Sequence, residues 1–328
     1  MDDPSASPRI AAPFPFVGRA VELEVLRTLV PRADGEGARV VLLGGEPGAG
    51  KSRLAREFSA ELASNGVLVL YGQCDAVVHT PFGPFVPALE QLMRAIDPAE
   101  RRAIVGKSAG QLTRLLPELA LEAGDATAAL NVDPDTERHR LHTAVTDLLG
   151  EISQGRPVLV VLEDIHWADA STLLLLRHLA RTSWTGAVLV FATFRDTEPD
   201  VPELLSQTLA DLRRSDDVVR LRLGGLSRDE VGELVRRAVE GDAETDLGEL
   251  AGTISDLTGG NAFLVGELWR ALLETGAVEV EDRAVKLTRP VARLGTPESV
   301  REVVSERLAR LAPATTTLLE LSAAAGAE

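Results

Sequence analysis

From about residue 20 to 225, short apolar runs alternate with stretches of helical periodicity. Five runs read as buried strands: Val40–Leu43, Val67–Tyr71, Val158–Leu162, Ala187–Thr193 and Val218–Leu223. Each is Leu-rich or β-branched and bounded by Gly, Pro or charge. Unbroken apolar runs, rather than alternating ones, suit strands covered on both faces, so the pattern predicts an α/β fold: a parallel five-stranded sheet with helices on both faces. A longer helical insertion, Pro81–Gln154, separates the second and third runs. Its middle, Leu121–Glu137, is rich in Ala, Asp and Gly and reads as a mobile loop. Beyond Leu223 the pattern turns helical. Ser227 and Glu230 form a capping-box signature at the head of an amphipathic helix over 227–240. Helices follow over 243–257 and 262–275, then a hairpin over Ala277–Leu287 turning at Glu281-Asp282, then helices over 297–310 and 313–324. The final LSAAAGAE lacks a C-cap signal and reads as a cut through a larger protein. No internal repeat is visible.

At 328 residues the length predicts about two domains. Hydrophobic residues make up 45% of the chain, enough for buried cores. The net charge of −16 argues against direct nucleic-acid binding by this segment. No uncharged apolar stretch reaches about 18 residues, so no membrane span is expected. The acidic, Pro/Ser-rich start MDDPSASPRI has no basic-then-apolar signal pattern. A single cysteine, Cys74, fits a reducing, cytoplasmic setting.

The sharpest motif is Gly45-Glu46-Pro47-Gly48-Ala49-Gly50-Lys51-Ser52, between the strand VVLL and the helix RLAREFSAEL. It satisfies G-x-x-x-x-G-K-[ST] in a strand–loop–helix context. The glycines let successive backbone N–H groups, with Arg53 just beyond them, converge on a phosphate at a helix N-terminus. Lys51 suits the β- and γ-phosphates, and the Ser52 hydroxyl suits Mg²⁺. The chain has only three lysines, Lys51, Lys107 and Lys286, and one stands where the motif demands it.

The strand Val158–Leu162 runs into Glu163-Asp164. Beside the phosphate-loop strand, such a pair can hold Mg²⁺ and orient or deprotonate an attacking water. Either carboxylate could be the metal ligand, and the shorter Asp164 as base predicts slow hydrolysis. Arg195, just past a buried strand, needs a partner. A bound phosphate is one reading; Asp196 or Asp169 is the plainer one. His166-Trp167 reads as packed aromatic and satisfied imidazole, or as a nucleotide-state relay. Asp169 reads as a helix cap, and Arg177 and Arg181 as a solvated or salt-bridged face rather than an arginine finger.

With Leu162-Glu163-Asp164-Ile165-His166-Trp167-Ala168-Asp169 and the loop together, the chain resembles the nucleotide-binding module of STAND-class signalling ATPases. These are related to AAA+ and AP-ATPases and include large LuxR-type, MalT-like transcriptional activators. Phe16-Val17-Gly18-Arg19 resembles the adenine-contacting segment. Phe191–Asp196 resembles the sensor strand whose arginine, here Arg195, reaches the γ-phosphate. Thr258-Gly259-Gly260-Asn261-Ala262-Phe263 resembles the lid element TGGNP-F, with Ala262 replacing the proline that packs on adenine. The resemblance implies a P-loop NTPase of the ASCE type. Its division would be a tail (1–15), an α/β core (16–224), a helical lid with a hairpin (225–295) and the start of a winged-helix or helical domain (296–328). It further implies ATP/ADP and Mg²⁺ as ligands, a homo-oligomer in the ATP state, and an output domain outside this chain, typically a DNA-binding helix-turn-helix.

The expected function is an ATP-binding regulatory switch that hydrolyses slowly; the alternative is an AAA+ motor or initiator-type ATPase acting on DNA or protein. Leu257–Asn261 mimics a transporter signature loop but follows the acidic strand instead of preceding it. No N-K-x-D element marks a GTPase. The five histidines look scattered, and no Cys/His spacing suggests zinc.

Overall fold

The computed structural model describes residues 14–30, 39–105, 108–119, 133–184, 186–197, 201–238, 248–281, 284–288 and 315–317. The chain divides into two compact units: Arg19–Pro47 with Lys51–Leu223, and Met1–Gly18 with Gly48–Gly50 and Gly224–Glu328.

The first unit is built on the five expected strands: β1 (Val40–Gly45), β2 (Leu68–Gln73), β3 (Val158–Glu163), β4 (Val188–Arg195) and β5 (Val218–Leu223). They form one parallel sheet in the order β2-β3-β4-β1-β5. Every residue of β1 and β3 is buried, as unbroken apolar runs require of strands inside a sheet. The edge strand β5 (VVRLRL) alternates, keeping Arg220 and Arg222 toward solvent. Helices α1 (Ala20–Thr28) and α2 (Lys51–Ser64) belong to this unit. Phe58 of α2 meets Phe191 of β4 edge-on at 5.8 Å, which fixes the face that α2 covers. The opposite face is covered by a core in which Val160, Leu162, Val190 and Ala192 meet Leu148, Leu149, Leu175 and Leu176.

Two expectations change here. The acidic strand β3 is not beside the phosphate-loop strand: β4 lies between them. Hydrophobic runs reveal strands but carry no record of their lateral order. The stretch Leu121–Glu137 is also not a loop throughout. The helix Pro134–Gly155 begins inside it, with Pro at its first turn and Asp133 accepting from the Thr136 N–H at 2.9 Å. Residues 120–132 lie outside the described residues.

In the second unit, helices Arg228–Ala238, Gly248–Thr258 and Ala262–Glu274 surround Trp269, which is fully buried. The capping box forms reciprocally: the Ser227 N–H donates to Glu230 Oε2 at 2.8 Å, and the Glu230 N–H donates to Ser227 Oγ at 3.2 Å. Strands β6 (Val278–Glu281) and β7 (Ala284–Leu287) pair antiparallel as the expected hairpin. Val17 is buried in this unit's core with Leu226 and Val231, although the sequence placed it at the start of the α/β core. The helices expected over 297–310 and 313–324 lie outside the described residues, apart from a helical turn at 315–317.

Candidate functional site

The phosphate loop leaves the end of β1 and enters α2. Gly48 and Gly50 have φ of 80° and 100°, the left-handed region in which a side chain is strained. Gly45 is constrained differently: a Cβ there would lie 2.7 Å from the Leu223 carbonyl oxygen. Lys51 opens α2 and is buried, its ammonium donating to the carbonyls of Gly45 at 2.8 Å and Glu46 at 2.9 Å. Ser52 follows on the same turn, and Ala49 is buried. No acidic residue occupies the first turn of α2, so its positive end keeps no carboxylate of its own there. Arg53 pairs with Glu57 at 2.9 Å along the helix.

The two carboxylates occupy different settings. Glu163 ends β3 and is 1% exposed. It lies on the same strand face as Val161, which pairs with Phe191, so it projects on the side covered by α2, the helix that carries Ser52. Its Oε1 is buried and has no hydrogen-bond partner among the described residues. Asp164, next in sequence, has φ 57° and ψ 42°. Its N–H donates to Thr193 Oγ1 of β4 at 3.1 Å, and its Oδ2 accepts from Gln73 Nε2 of β2 at 3.2 Å. A left-handed aspartate held by both neighbouring strands is local strain at the sheet's C-terminal edge.

Arg195 closes β4 in register with Gly45, and its guanidinium carbon lies 5.9 Å from the Trp167 ring centroid. Asp196 pairs with Arg222 at 3.0 Å, and the Asp169 carboxylate accepts from the N–H groups of Ser171 and Thr172 as the cap of helix Ala170–Arg181. Arg177 pairs with Asp211 at 2.7 Å, the salt-bridged reading of that face.

His166 corrects the expectation of a satisfied imidazole. It is buried, and neither ring nitrogen has a hydrogen-bond partner among the described residues; Nδ1 is 3.9 Å from Asp164 Oδ1. Burial lowers its pKa to about 4; the Asp164 charge opposes this, and Arg195 and Lys51 reinforce it. The imidazole is therefore neutral at pH 7. Burial likewise pushes the Cys74 thiol up to about 12, helped by Asp164 and Asp169, so it is protonated and unreactive.

Gln73 and Thr193 escaped the sequence reading. Thr193 carried a faint signal, a lone hydroxyl in the run VLVFATF. Gln73 carried none until the register Gln73↔Glu163 was known. The histidines are not all scattered, either: the His178 ring lies 5.7 Å from His139 and 5.4 Å from His142. Among the described residues, however, no three His, Cys, Asp or Glu side chains are arranged to hold a metal ion.

In the second unit, Gly18 has φ 67°, and a Cβ there would overlap Glu230. Asn261 is buried and caps helix Ala262–Glu274, its Oδ1 accepting from the Leu264 N–H at 3.3 Å, while Ala262 packs against the helical core. Arg19, in the first unit, has φ 63° and pairs with Glu22 at 3.0 Å.

Residues 15–191 match the family described as the AAA ATPase domain. The chain belongs to that family. This AAA ATPase domain is 28% identical over 201 residues to an uncharacterized protein of Rhizobium meliloti (strain 1021), a match covering 55% of this chain and 18% of that protein. Among solved structures it is similar to a signal transduction ATPase with numerous domains (STAND) and a tetratricopeptide repeat sensor from Pyrococcus horikoshii. There the identity is 16% and the TM-score 0.46, over 84% of this chain and 31% of that one. It is also similar to Cdc6p from Pyrobaculum aerophilum (15%, TM-score 0.46, 84% and 65% covered) and to a Walker-type ATPase of Pyrococcus abyssi (17%, TM-score 0.46, 80% and 69%). The chain thus spans about a fifth of that curated relative and a third of the STAND protein. Among the described residues, no helix of the AAA ATPase domain is long and apolar enough to cross a membrane.

Proposed function

We propose that this AAA ATPase domain is an ATP-binding regulatory switch with slow Mg²⁺-dependent hydrolysis, controlling self-association and the output of a larger regulator. The observation that carries the reading is the loop Gly45–Ser52 at the head of an α2 free of acidic residues in its first turn, with Glu163 and Asp164 on the same sheet edge. Backbone N–H groups from Gly48 to Arg53 would bond the β-phosphate, and Lys51 would exchange its loop carbonyls for β- and γ-oxygens. Ser52 and Glu163 suit Mg²⁺. The buried Oε1 of Glu163, without a hydrogen-bond partner among the described residues, fits a cation. When bound, Mg²⁺ would neutralise charge developing on the phosphates.

Asp164, held by Gln73, would orient the water that attacks the γ-phosphorus and take its proton as the bond to the ADP oxygen breaks. Arg195 would bond the γ-phosphate. By the resemblance, adenine would fall to Val17, Gly18, Arg19, Asn261 and Ala262. A cytoplasmic, LuxR-type transcriptional regulator is the context we infer; the net charge of −16 supports placing DNA contact in another segment.

Titration calorimetry with ATP and ADP, with and without Mg²⁺, tests the binding site. Binding of both nucleotides, tightened by Mg²⁺, is expected; no heat at millimolar nucleotide overturns the reading. Sedimentation of a longer chain tests the switch. A larger species with ATP than with ADP is expected, and identical size with ATP, ADP and neither, or fast DNA-stimulated turnover, would replace a switch with a motor.

A further inference from the structure

His166 lies in the short turn Ile165–Trp167 that follows the left-handed Asp164, and the proposed function leaves it without a role. Packing accounts for the faces of its ring but not for its edge. The imidazole rests against the Trp167 ring at 4.9 Å with a 43° tilt, while Nδ1 and Nε2 are both buried without a hydrogen-bond partner among the described residues. A phenylalanine or leucine would fill the same space without burying two unpaired polar atoms, which destabilise a fold. A histidine here calls for a role that a hydrocarbon lacks.

Asp164 offers the missing partner. Its Oδ1 is 3.9 Å from His166 Nδ1, too long for a hydrogen bond, and accepts none from the described residues, whereas Oδ2 accepts from Gln73 Nε2 at 3.2 Å. The backbone of the turn is closed: the Trp167 N–H donates to the Asp164 carbonyl at 2.9 Å, and the Ala168 N–H to the Ile165 carbonyl at 3.1 Å. The Asp164 carboxylate is partly exposed, and its last torsion has broad wells. Shortening the gap to about 2.9 Å thus needs side-chain rotation alone. We propose that His166 is a positioning residue for Asp164: its Nδ1–H donates to Oδ1 while Gln73 donates to Oδ2, and the carboxylate so held presents its remaining lone pairs to the attacking water. This rests on the reading of Asp164 as the group that orients that water. A neutral imidazole donates from one nitrogen only, so the bond uses the ring protonated on Nδ1. At 3.9 Å the pair stands open, and turnover waits on the carboxylate turning to close it.

The test measures turnover by phosphate release, and affinity for ADP and a non-hydrolysable ATP analogue by calorimetry, all with Mg²⁺. It compares the intact chain with His166→Phe, His166→Asn, His166→Gln, Asp164→Asn and His166→Phe/Asp164→Asn. His166→Phe keeps a ring and loses the donor; it should lower turnover about five- to twentyfold and leave both affinities within about twofold. His166→Asn sets an amide N–H near the place of Nδ1 and should recover most of that loss, whereas His166→Gln, whose amide falls near Nε2, should not. Adding His166→Phe to Asp164→Asn should lower turnover no further, because the two residues act as one unit. Equal turnover in the Asn and Gln variants overturns the proposal, even if His166→Phe fails to fold. Affinity losses that parallel the loss of turnover, or full additivity with Asp164→Asn, mark a packing role and overturn it too. If Asp164→Asn is impaired and His166→Phe turns over normally, the His166 role alone fails. If Asp164→Asn turns over at the rate of the intact chain, the reading of Asp164 fails, and the proposal with it.

Discussion

Lys51 is buried at the head of α2 and held by two carbonyls of its own loop. Lys51→Ala should therefore reduce ATP affinity at least about 100-fold by calorimetry, because it removes a charge-assisted contact to phosphate, and should also lower the thermal midpoint, because the Gly45 and Glu46 carbonyls lose a buried donor. Asp164→Asn should behave oppositely, keeping nucleotide affinity within a few-fold and lowering turnover by about 100-fold or more in a phosphate-release assay. The loop was fully legible in the sequence because its spacing encodes a local shape, and so was the acidic pair at a strand end. The difference in setting between Glu163 and Asp164 was not. It depends on which sheet face each carboxylate meets and on Gln73, whose place beside Asp164 exists only through the pairing of β2 with β3.

Elements followed their local signals closely. Five apolar runs became five strands, and Ser227 and Glu230 capped each other as their spacing demands. The missed helix start at Pro134 obeyed the same rules: Asp133 at the cap, Pro in the first turn, then acidic residues. A composition rich in Ala, Asp and Gly obscured it. Asp133→Ala should lower stability, read as a downward shift in the urea midpoint, with nucleotide affinity unaffected. The lateral order of strands is another matter. The wrong neighbour for β3 came from a signal that strand patterns lack, and its correction brings Thr193 and Arg195, both on β4, between the loop and the acids.

For the molecule as a whole, acid should loosen the first unit. Burial lowers the His142 pKa to about 4, with His178, Arg138 and His139 adding to the effect, and burial followed by His139 lowers that of His178 despite the Asp147 charge. Both imidazoles are thus more basic in the unfolded chain, near 6.5. Between about pH 6.5 and 4 the unfolded state binds more protons, so stability is full above 6.5 and falls as pH drops through that window. Urea midpoints measured from pH 7.5 to 4.5 should decline, and His142→Leu should flatten that slope; an unchanged slope would mean the imidazole is not the titrating group.

The engagement of Lys51 by its own turn bears on which anions the loop can admit. An ammonium already coordinated by two oxygens gives them up only for a species supplying several in return, so entry is an exchange of coordination rather than the filling of a bare positive hole. Chloride and acetate carry a single charge and should offset the loss of the Gly45 and Glu46 oxygens less well than a multiply charged species. A polyphosphate tail is such a species. A preference for polyphosphates over small monovalent ions is therefore expected of the loop, checked by comparing nucleotide affinity in chloride and in acetate.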